Sequence, residues 1–443
     1  MQTMQIRIPA RIVATIGLLS ILASCAFSQD NPLAEAALEQ ETPPNIVWII
    51  ADDQAYGDFG FMGHDIVQTP NLDQLAAESA VFPNGYVPTS LCRASLATLI
   101  TGKYAWDHGI CFNDPPEGMA HSDTFRFLEM QTPMPMDLRR QGYRSMQTGK
   151  FWEGPFANGG FTDGMTQGTR HGDQGLSIGR RTMQPIDDFL GDVGDDPFFV
   201  WFAPYLPHSP FDAEPRFREP YENMGLDDRT LGYYANIAWL DETVGQMMDL
   251  LEAHGQADNT VIMFIVDNGW VPNRQGESFR DLQGRTLRYD PRSKSSPYEG
   301  GVRTPIMVRW PGHIEPGRRN DLISSVDFFP TTLALANLPQ RPELKGTNLL
   351  PYLRGQSSLA PRTMFGEIYY HTSVDLDNPT VNVTHRWARE GDWKLIVNDH
   401  DGGRAELYNL VNDPDERDDL AGDAAQTQRV ASLRAQIEEW WPD

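Results

Sequence analysis

The stretch Asn45-Ile-Val-Trp-Ile-Ile-Ala51, with Asp52-Asp53 directly after it, decides the fold. Its unbroken apolar run has the length of a strand, which is typical of a parallel strand buried on both faces. Further apolar runs of strand length occupy residues 197–203, 259–266 and 305–310, and residues 142–148 are predicted to form a short strand that ends at Gly149-Lys150. Apolar residues at helical spacing fill 228–254, between two of these runs. This alternation predicts an α/β fold with a large, mostly parallel sheet sandwiched by helices.

Three of the runs stop at residues that can bind a metal ion or a ligand. The first ends at Asp52-Asp53, another is followed by His208, and a third ends at Asp267-Asn268. Parallel strands bring their carboxyl ends to one edge of the sheet, where open α/β sheets bind ligands. Converging carboxylates repel one another unless a cation lies between them. Their oxygens favour Ca²⁺, with Mg²⁺ as the alternative, over zinc. For any single pair, a plain strand end or helix cap remains open.

The chain of 443 residues is strongly acidic, with 36 Lys and Arg against 61 Asp and Glu and a net charge of −25. Affinity for nucleic acid comes largely from neutralising phosphates, so this balance predicts no nucleic-acid partner. Hydrophobic residues make up 40% of the chain and charged residues 22%, which is typical of a globular protein.

Residues 1–25 have the features of a signal peptide. A basic segment precedes the apolar run Ile12–Leu22, which is too short to span a bilayer. The run leads into Leu22-Ala-Ser-Cys25, which resembles a bacterial lipobox, so we expect a lipidated Cys25 and a polar tether over 26–43. Cleavage after Ser28 is the alternative. The sequence thus predicts export to the periplasm or cell envelope, with contact to the membrane only through a lipid anchor.

The sequence pattern changes after about residue 355. Short alternating runs separated by turns lie at 387–389, 393–397 and 406–410. They predict an antiparallel sheet, and a helix of roughly 425–441 follows it. We therefore predict a main domain over 44–355 and a C-terminal subdomain, a small antiparallel sheet plus a helix, over 356–443.

Cys92 is a candidate nucleophile. It lies just before a predicted helix that runs from Ser95 to a stop at Gly102. The dipole and free N–H groups of a helix N-terminus favour a bound anion, which a nucleophile at this position would face. A buried structural cysteine is one alternative. A disulfide between Cys92 and Cys111 is another in an exported protein, although the sequence around Cys92 argues against it.

Together these residues resemble the type I, formylglycine-dependent sulfatases of the alkaline phosphatase superfamily. In that family a cysteine element precedes a Thr-Gly-Arg/Lys step, and the matching residues here are Cys92, Ala94, Ser95, Thr101, Gly102 and Lys103. Other family elements follow in order over nearly the whole mature chain and match 44–53, 69–75, 148–150, 207–210, 266–269, Lys294 with 299–303, and 406–414. The chain holds only five lysines, and Lys150 and Lys294 fall on the two lysine positions of the family.

The resemblance implies a sulfuric ester hydrolase that acts on a sulfated small molecule or polysaccharide, with 44–355 as its catalytic sulfatase domain. It implies that a formylglycine-generating enzyme converts Cys92 to formylglycine, whose hydrated aldehyde attacks sulfur. Lys150 and Lys294 would then hold the sulfate oxygens, and His208 would protonate the leaving alcohol. The cation, usually Ca²⁺ in this family, would be held by Asp52, Asp53, Cys92, Asp267 and Asn268.

Two positions depart from the family pattern. Leu96 stands where the family has an Arg that helps present the cysteine to the modifying enzyme, and Arg93 is a candidate substitute. Trp152 stands where the family has a His that acts as a base, and His171 is a candidate replacement. An exposed loop histidine is the alternative for His171. Two other functions also stay open, a phosphoester or phosphonate hydrolase of the same superfamily and a non-catalytic lipoprotein that binds sulfated glycans.

Overall fold

The computed structural model describes residues 43–168, 170–271 and 292–441. The predicted signal peptide, the lipobox cysteine and the tether up to residue 42 lie outside these ranges. None of the helices within the described ranges is long and apolar enough to cross a membrane.

A large sheet contains nine strands among the described residues, in the spatial order β4-β3-β5-β1-β6-β7-β2-β8, with β9 paired to β2. In chain order the strands are β1 (Asn45–Ala51), β2 (Ala80–Tyr86), β3 (Arg144–Gly149), β4 (Asp163–Gly164), β5 (Phe198–Ala203), β6 (Thr260–Val266), β7 (Arg303–Arg309), β8 (Gly317–Arg318) and β9 (Ile323–Ser324). Strand β7 is antiparallel to both of its neighbours, whereas the other pairings are parallel. The prediction of a mostly parallel sheet is confirmed.

Helices cover both faces of this sheet, and the last of the twelve described helices packs on a second sheet instead. In chain order they are α1 (Pro70–Ala77), α2 (Cys92–Thr101), α3 (Ala105–His108), α4 (Arg126–Glu129), α5 (Met134–Arg140), α6 (Gln184–Val193), α7 (Pro215–Arg218), α8 (Asp228–Ala253), α9 (Glu299–Val302), α10 (Phe328–Leu335), α11 (Leu350–Leu353) and α12 (Thr427–Trp440). Alternate residues of β1 belong to different cores, since Trp48 packs with residues of α2 and α10, and Ile49 with residues of α6 and α8. Both faces of β1 are therefore buried, which explains its unbroken apolar sequence.

The longest helix among the described residues, α8, agrees with the predicted range to within one residue. The side chain of Asp227 caps its first turn by accepting from the N–H groups of Arg229 and Thr230 at 3.0 and 3.1 Å. The predicted apolar stripe is buried against the sheet at Ile237, Leu240, Val244, Met247 and Leu251. The helix lies in the connection between β5 and β6, the two strands that flank β1.

A second sheet follows, with four antiparallel strands: β10 (Thr363–Tyr369), β11 (Val383–Glu390), β12 (Trp393–Asn398) and β13 (Arg404–Asn409). Helix α12 packs on its face through Leu433 and Ile437. The antiparallel sheet with its helix is confirmed, although the sequence did not predict β10. That strand contains Gly366, where a Cβ atom would come within 2.1 Å of the Pro88 carbonyl oxygen. The domain boundary at 355/356 stays a prediction.

Candidate active site

Four buried side chains converge at the carboxyl edge of the large sheet. One ligand atom from each of Asp52, Asp53, Cys92 and Asp267 lies within 4.8 Å of every other. Register explains the meeting of the aspartates, because Ala51 and Val266 are partners in neighbouring parallel strands. The residues that follow them therefore leave the sheet side by side.

Cys92 reaches this edge as the first residue of α2. The predicted start at Ser95 is wrong, because the N–H of Ser95 already bonds to the carbonyl of Leu91 at 2.8 Å. The helix therefore begins a turn earlier, and Cys92 belongs to its first turn. The alternative of a disulfide is also wrong, since Cys92 and Cys111 are both free and buried.

The oxygen atoms of this cluster fit a divalent cation. Oδ2 of Asp52, Oδ2 of Asp53 and Oδ1 of Asn268 are buried without a hydrogen-bond partner among the described residues. Buried polar atoms without partners are costly, and hard oxygens of this kind are the ligands that Ca²⁺ and Mg²⁺ prefer. The amide Nδ2 of Asn268 donates to Asp53 Oδ1 at 2.6 Å, which leaves its own oxygen for a cation. The family implies a divalent metal, and these residues could hold one.

The pKa values of the three carboxylates shift in different directions, and burial raises that of Asp52. Burial and the charge of Asp52 raise the pKa of Asp267 to about 7. Burial also acts to raise the pKa of Asp53, but the charge of Lys294, with a smaller contribution from His208, outweighs it and the pKa falls below its ordinary value. The crowding of buried carboxylates opposes their full ionisation, and a bound cation would relieve it.

Two buried lysines neutralise part of that charge. Nζ of Lys150 donates to Asp52 Oδ1 at 2.6 Å and lies 3.4 Å from Asp267 Oδ2. Nζ of Lys294 donates to Asp53 Oδ1 at 2.5 Å and to Cys92 Sγ at 2.8 Å. Burial alone would lower the pKa of Lys150, but the carboxylates raise it well above its ordinary value. Both lysines are therefore cationic beside Cys92, where they can bind an oxyanion.

His208 flanks the same cluster. Its Nε2 lies 3.5 Å from Asp53 Oδ2, and its Nδ1 donates to the Ser209 carbonyl at 2.5 Å. The ring stacks on Tyr205 at a centroid distance of 4.3 Å. Burial lowers the pKa of His208 to about 3, against the opposing charge of Asp53. The histidine is held in one orientation at the edge of the site.

His171 lies next to His208, although 37 residues separate the two in the sequence. Their ring centroids are 5.7 Å apart, and His171 Nδ1 is 3.2 Å from the Tyr205 hydroxyl. The Trp152 indole packs edge-on against His171 at 4.4 Å. The structure therefore brings the predicted candidate to the site and places Trp152 directly behind it. The role of His171 as a base stays a prediction.

The sequence did not predict a buried ion pair beside Cys92. Nε and Nη2 of Arg93 donate to the two carboxylate oxygens of Glu153 at 2.6 and 2.7 Å. The guanidinium also lies 5.0 Å from the ring centroid of Phe112. Arg93 thereby ties α2 to the loop that carries Lys150. The only signal in the sequence is a carboxylate at 153 within the aromatic stretch 151–156, which is too weak to identify a partner.

The fold and this site define a hydrolase of the alkaline phosphatase-like class. Residues 44–338 match the family model described as Sulfatase, and residues 289–441 match the model described as N-sulphoglucosamine sulphohydrolase, C-terminal. The chain belongs to the sulfatase family, and its class of activity is sulfuric ester hydrolysis. The predicted family, fold class and enzyme class are confirmed.

Relatives with a known activity cover most of the chain. It is 30% identical over 379 residues to arylsulfatase A of Homo sapiens, which covers 74% of this chain and 71% of the relative. It is 28% identical over 405 residues to N-acetylgalactosamine-6-sulfatase of Homo sapiens, with 80% and 73% covered. The crystal structure of Ps i-CgsB superposes with a TM-score of 0.72 at 22% identity, over 90% of this chain and 93% of that one, and shows the same fold.

Proposed function

We propose that this protein is an exported sulfatase that removes sulfate esters from a sulfated carbohydrate, with Ca²⁺ and a formylglycine made from Cys92. One observation carries the proposal: Cys92 Sγ lies within the aspartate cluster and 2.8 Å from Lys294 Nζ. A group attached at this position is surrounded by cation ligands on one side and by an ammonium donor on the other.

The residues that would hold the cation are Asp52, Asp53, Cys92, Asp267 and Asn268. Bound there, Ca²⁺ would supply charge neutralisation for the sulfate and for the attacking oxygen. Formylglycine would supply, as its hydrate, a hydroxyl nucleophile that a cysteine does not have. The unpartnered oxygens of the cluster support the cation assignment.

Lys150 and Lys294 bind and orient the sulfate in this proposal. Their ammonium groups are buried, so they act on an anion with little screening by water. Removing one such preorganised donor from an active site typically costs about 10²–10³-fold in kcat. They would stabilise the charge that develops on the equatorial oxygens as the S–O bond breaks.

His208 would deliver a proton to the leaving alkoxide of the sugar from Nε2, which requires the imidazolium form; the Asp53 carboxylate 3.5 Å from Nε2 favours that form. Its Nδ1 donates to a carbonyl, which fixes the tautomer and turns Nε2 toward the cluster. His171, adjacent to His208 and Tyr205, is our candidate for the base that releases sulfate. A carbohydrate substrate is supported by the relative named N-acetylgalactosamine-6-sulfatase, with which this chain aligns over most of its length.

Peptide mass spectrometry across Cys92 tests the proposal. Protein made in a host with a formylglycine-generating enzyme should show an aldehyde at position 92 and should hydrolyse an aryl sulfate in the presence of Ca²⁺. Cys111→Ala is the matched control and should keep both properties, whereas Cys92→Ala should lose all turnover. An intact thiol at 92 together with no turnover of sulfated sugars or aryl sulfates would overturn the proposal.

A further inference from the structure

Three side chains meet around the carboxylate of a fourth outside the buried cluster. We call them the rim cluster: Asp114, His121, Arg170 and His371. Arg170 donates to Asp114 through Nε at 2.9 Å and through Nη2 at 3.2 Å. His121 Nε2 lies 3.1 Å from Oδ1 of Asp114, and His371 Nδ1 lies 3.4 Å from Oδ2. The side chains at its outer side are accessible, with 44% of Arg170 and 40% of His371 exposed.

Three separate segments build the rim cluster. The backbone N–H groups of Asn113 and Asp114 both bond to the carbonyl of His371, at 2.9 and 3.1 Å. The segment after β10 is therefore fastened to the loop after α3. Arg170 comes from a third segment, and its pairing with Asp114 joins the other two. Main-chain bonds therefore hold two of the segments together, and the side chain of Arg170 attaches the third.

Aromatic contacts connect the rim cluster to the reaction centre. The guanidinium of Arg170 lies 5.1 Å from the centroid of the Trp152 ring. Trp152 contacts His171 at 4.4 Å, and His171 contacts His208 at 5.7 Å. His208 in turn faces Asp53. Trp152 therefore lies between the rim cluster and the histidines of the buried site, in contact with Arg170 on one side and with His171 on the other.

The rim cluster offers donors rather than acceptors. Both oxygens of Asp114 are already occupied by Arg170 and the two histidines. A guanidinium has five N–H groups, and Arg170 gives two of them to Asp114. Its remaining N–H groups have no partner among the described residues. The guanidinium stacks on Trp152 and pairs with Asp114, so its orientation is already fixed. Little side-chain entropy is therefore lost when it binds a ligand.

We propose that the rim cluster binds an oxyanion, a carboxylate or a second sulfate, on the saccharide whose scissile sulfate ester enters the buried site. This inference rests on the proposed function. A fixed guanidinium recognises carboxylate and sulfate through paired, charge-assisted hydrogen bonds, which are about twice as strong as those to neutral groups. The substrate class is therefore a polyanionic glycan rather than a sugar with a single sulfate.

The test measures binding to the Cys92→Ala protein, which leaves substrates intact, by calorimetry in the presence of Ca²⁺. One ligand pair is glucosamine 6-sulfate and glucosamine-2-N,6-O-disulfate, which differ by one sulfate. The other is a 6-sulfated disaccharide with glucuronate and its carboxyl-reduced form. Arg170→Gln is compared with Arg216→Gln, which removes an equal charge from an exposed pair with Glu214 and Glu242.

In at least one pair, the ligand with the additional anion should bind about ten-fold more tightly than its partner. Arg170→Gln should abolish that preference while leaving the other ligand within about two-fold, and Arg216→Gln should change neither. The pair that shows the preference identifies the anion as sulfate or carboxylate. Equal binding within both pairs, or a preference that survives Arg170→Gln, overturns the inference alone. Failure of every sulfated ligand to bind overturns the proposed function as well.

Discussion

Lys294 donates a hydrogen bond to Cys92 at 2.8 Å across a separation of 202 residues. The contact joins the first turn of α2 to the segment before α9, and it brings an ammonium group to the atom that would carry the nucleophile. Lys150 approaches the same cluster from the end of β3. The two cations and the aspartates together form a site in which an anion can be bound beside a metal.

Lys294→Met should lower kcat for an aryl sulfate by about 10²–10³-fold, because one donor to the sulfate oxygens is lost. Steady-state kinetics of the purified variant measures the effect. Lys345→Met is the matched control, since Lys345 is exposed, belongs to none of the family elements and should leave kcat unchanged. Equal kinetics in the two variants would show that Lys294 does not act on the substrate.

Asp267→Asn should abolish Ca²⁺ binding as measured by calorimetry on the free protein. The change keeps the shape of the side chain but replaces a carboxylate with a weaker, neutral ligand in a site of three buried aspartates. Asp249→Asn, an exposed position on α8, is the control and should bind Ca²⁺ as the parent does. The assignment of the site fails if Asp267→Asn retains the parental affinity.

His171→Ala should slow turnover by at least about ten-fold, because general-base assistance is typically worth about 10²–10⁴-fold and water can replace part of it. Enzyme that retains covalent sulfate should then accumulate and be visible by intact mass after rapid quench. His254→Ala serves as the control, since His254 pairs with Asp187 elsewhere on the fold. Unchanged turnover with no retained sulfate would rule His171 out as the base.

Glu153→Gln should destabilise the protein by about 3–5 kcal/mol, because it leaves the Arg93 charge buried without its partner. Arg93 and Glu153 are both almost fully buried. Urea unfolding measures the free energy of unfolding. The double variant Arg93→Met with Glu153→Leu should recover most of the loss, since apolar replacements of a buried pair are often neutral. A single variant as stable as the parent contradicts this account of the pair.

Cys25→Ser should release the protein from membranes into the soluble periplasmic fraction, because the residue that would carry the lipid is removed. Fractionation followed by immunoblotting measures the distribution. The position lies outside the described residues, so the prediction depends on the sequence alone. An unchanged distribution would favour conventional cleavage after Ser28.

Local patterns in the sequence were enough to predict the scaffold. The runs that became β1 and β6 and the helix α8 were predicted to within about two residues, because unbroken apolar runs and helical spacing reflect burial directly. The start of α2 was predicted incorrectly, because the first residue of a helix is defined by its backbone hydrogen bonds. The strand β10 was not predicted, and it contains Gly366, which lies close to a neighbouring backbone carbonyl. The meeting of Asp52-Asp53 with Asp267-Asn268 was predicted because each pair follows a strand end.

The sequence by itself determined the α/β scaffold, the edge at which its polar residues gather and the family to which it belongs. Tertiary structure alone decided the pairing of Arg93 with Glu153 and the meeting of Arg170 with Asp114 and His371. Those residues lie on loops and helix starts that are far apart in the chain, and no periodic pattern in the sequence indicates which of them are in contact. Strand register is encoded locally by hydrophobicity, whereas contacts between loops follow only from the packing of the whole fold.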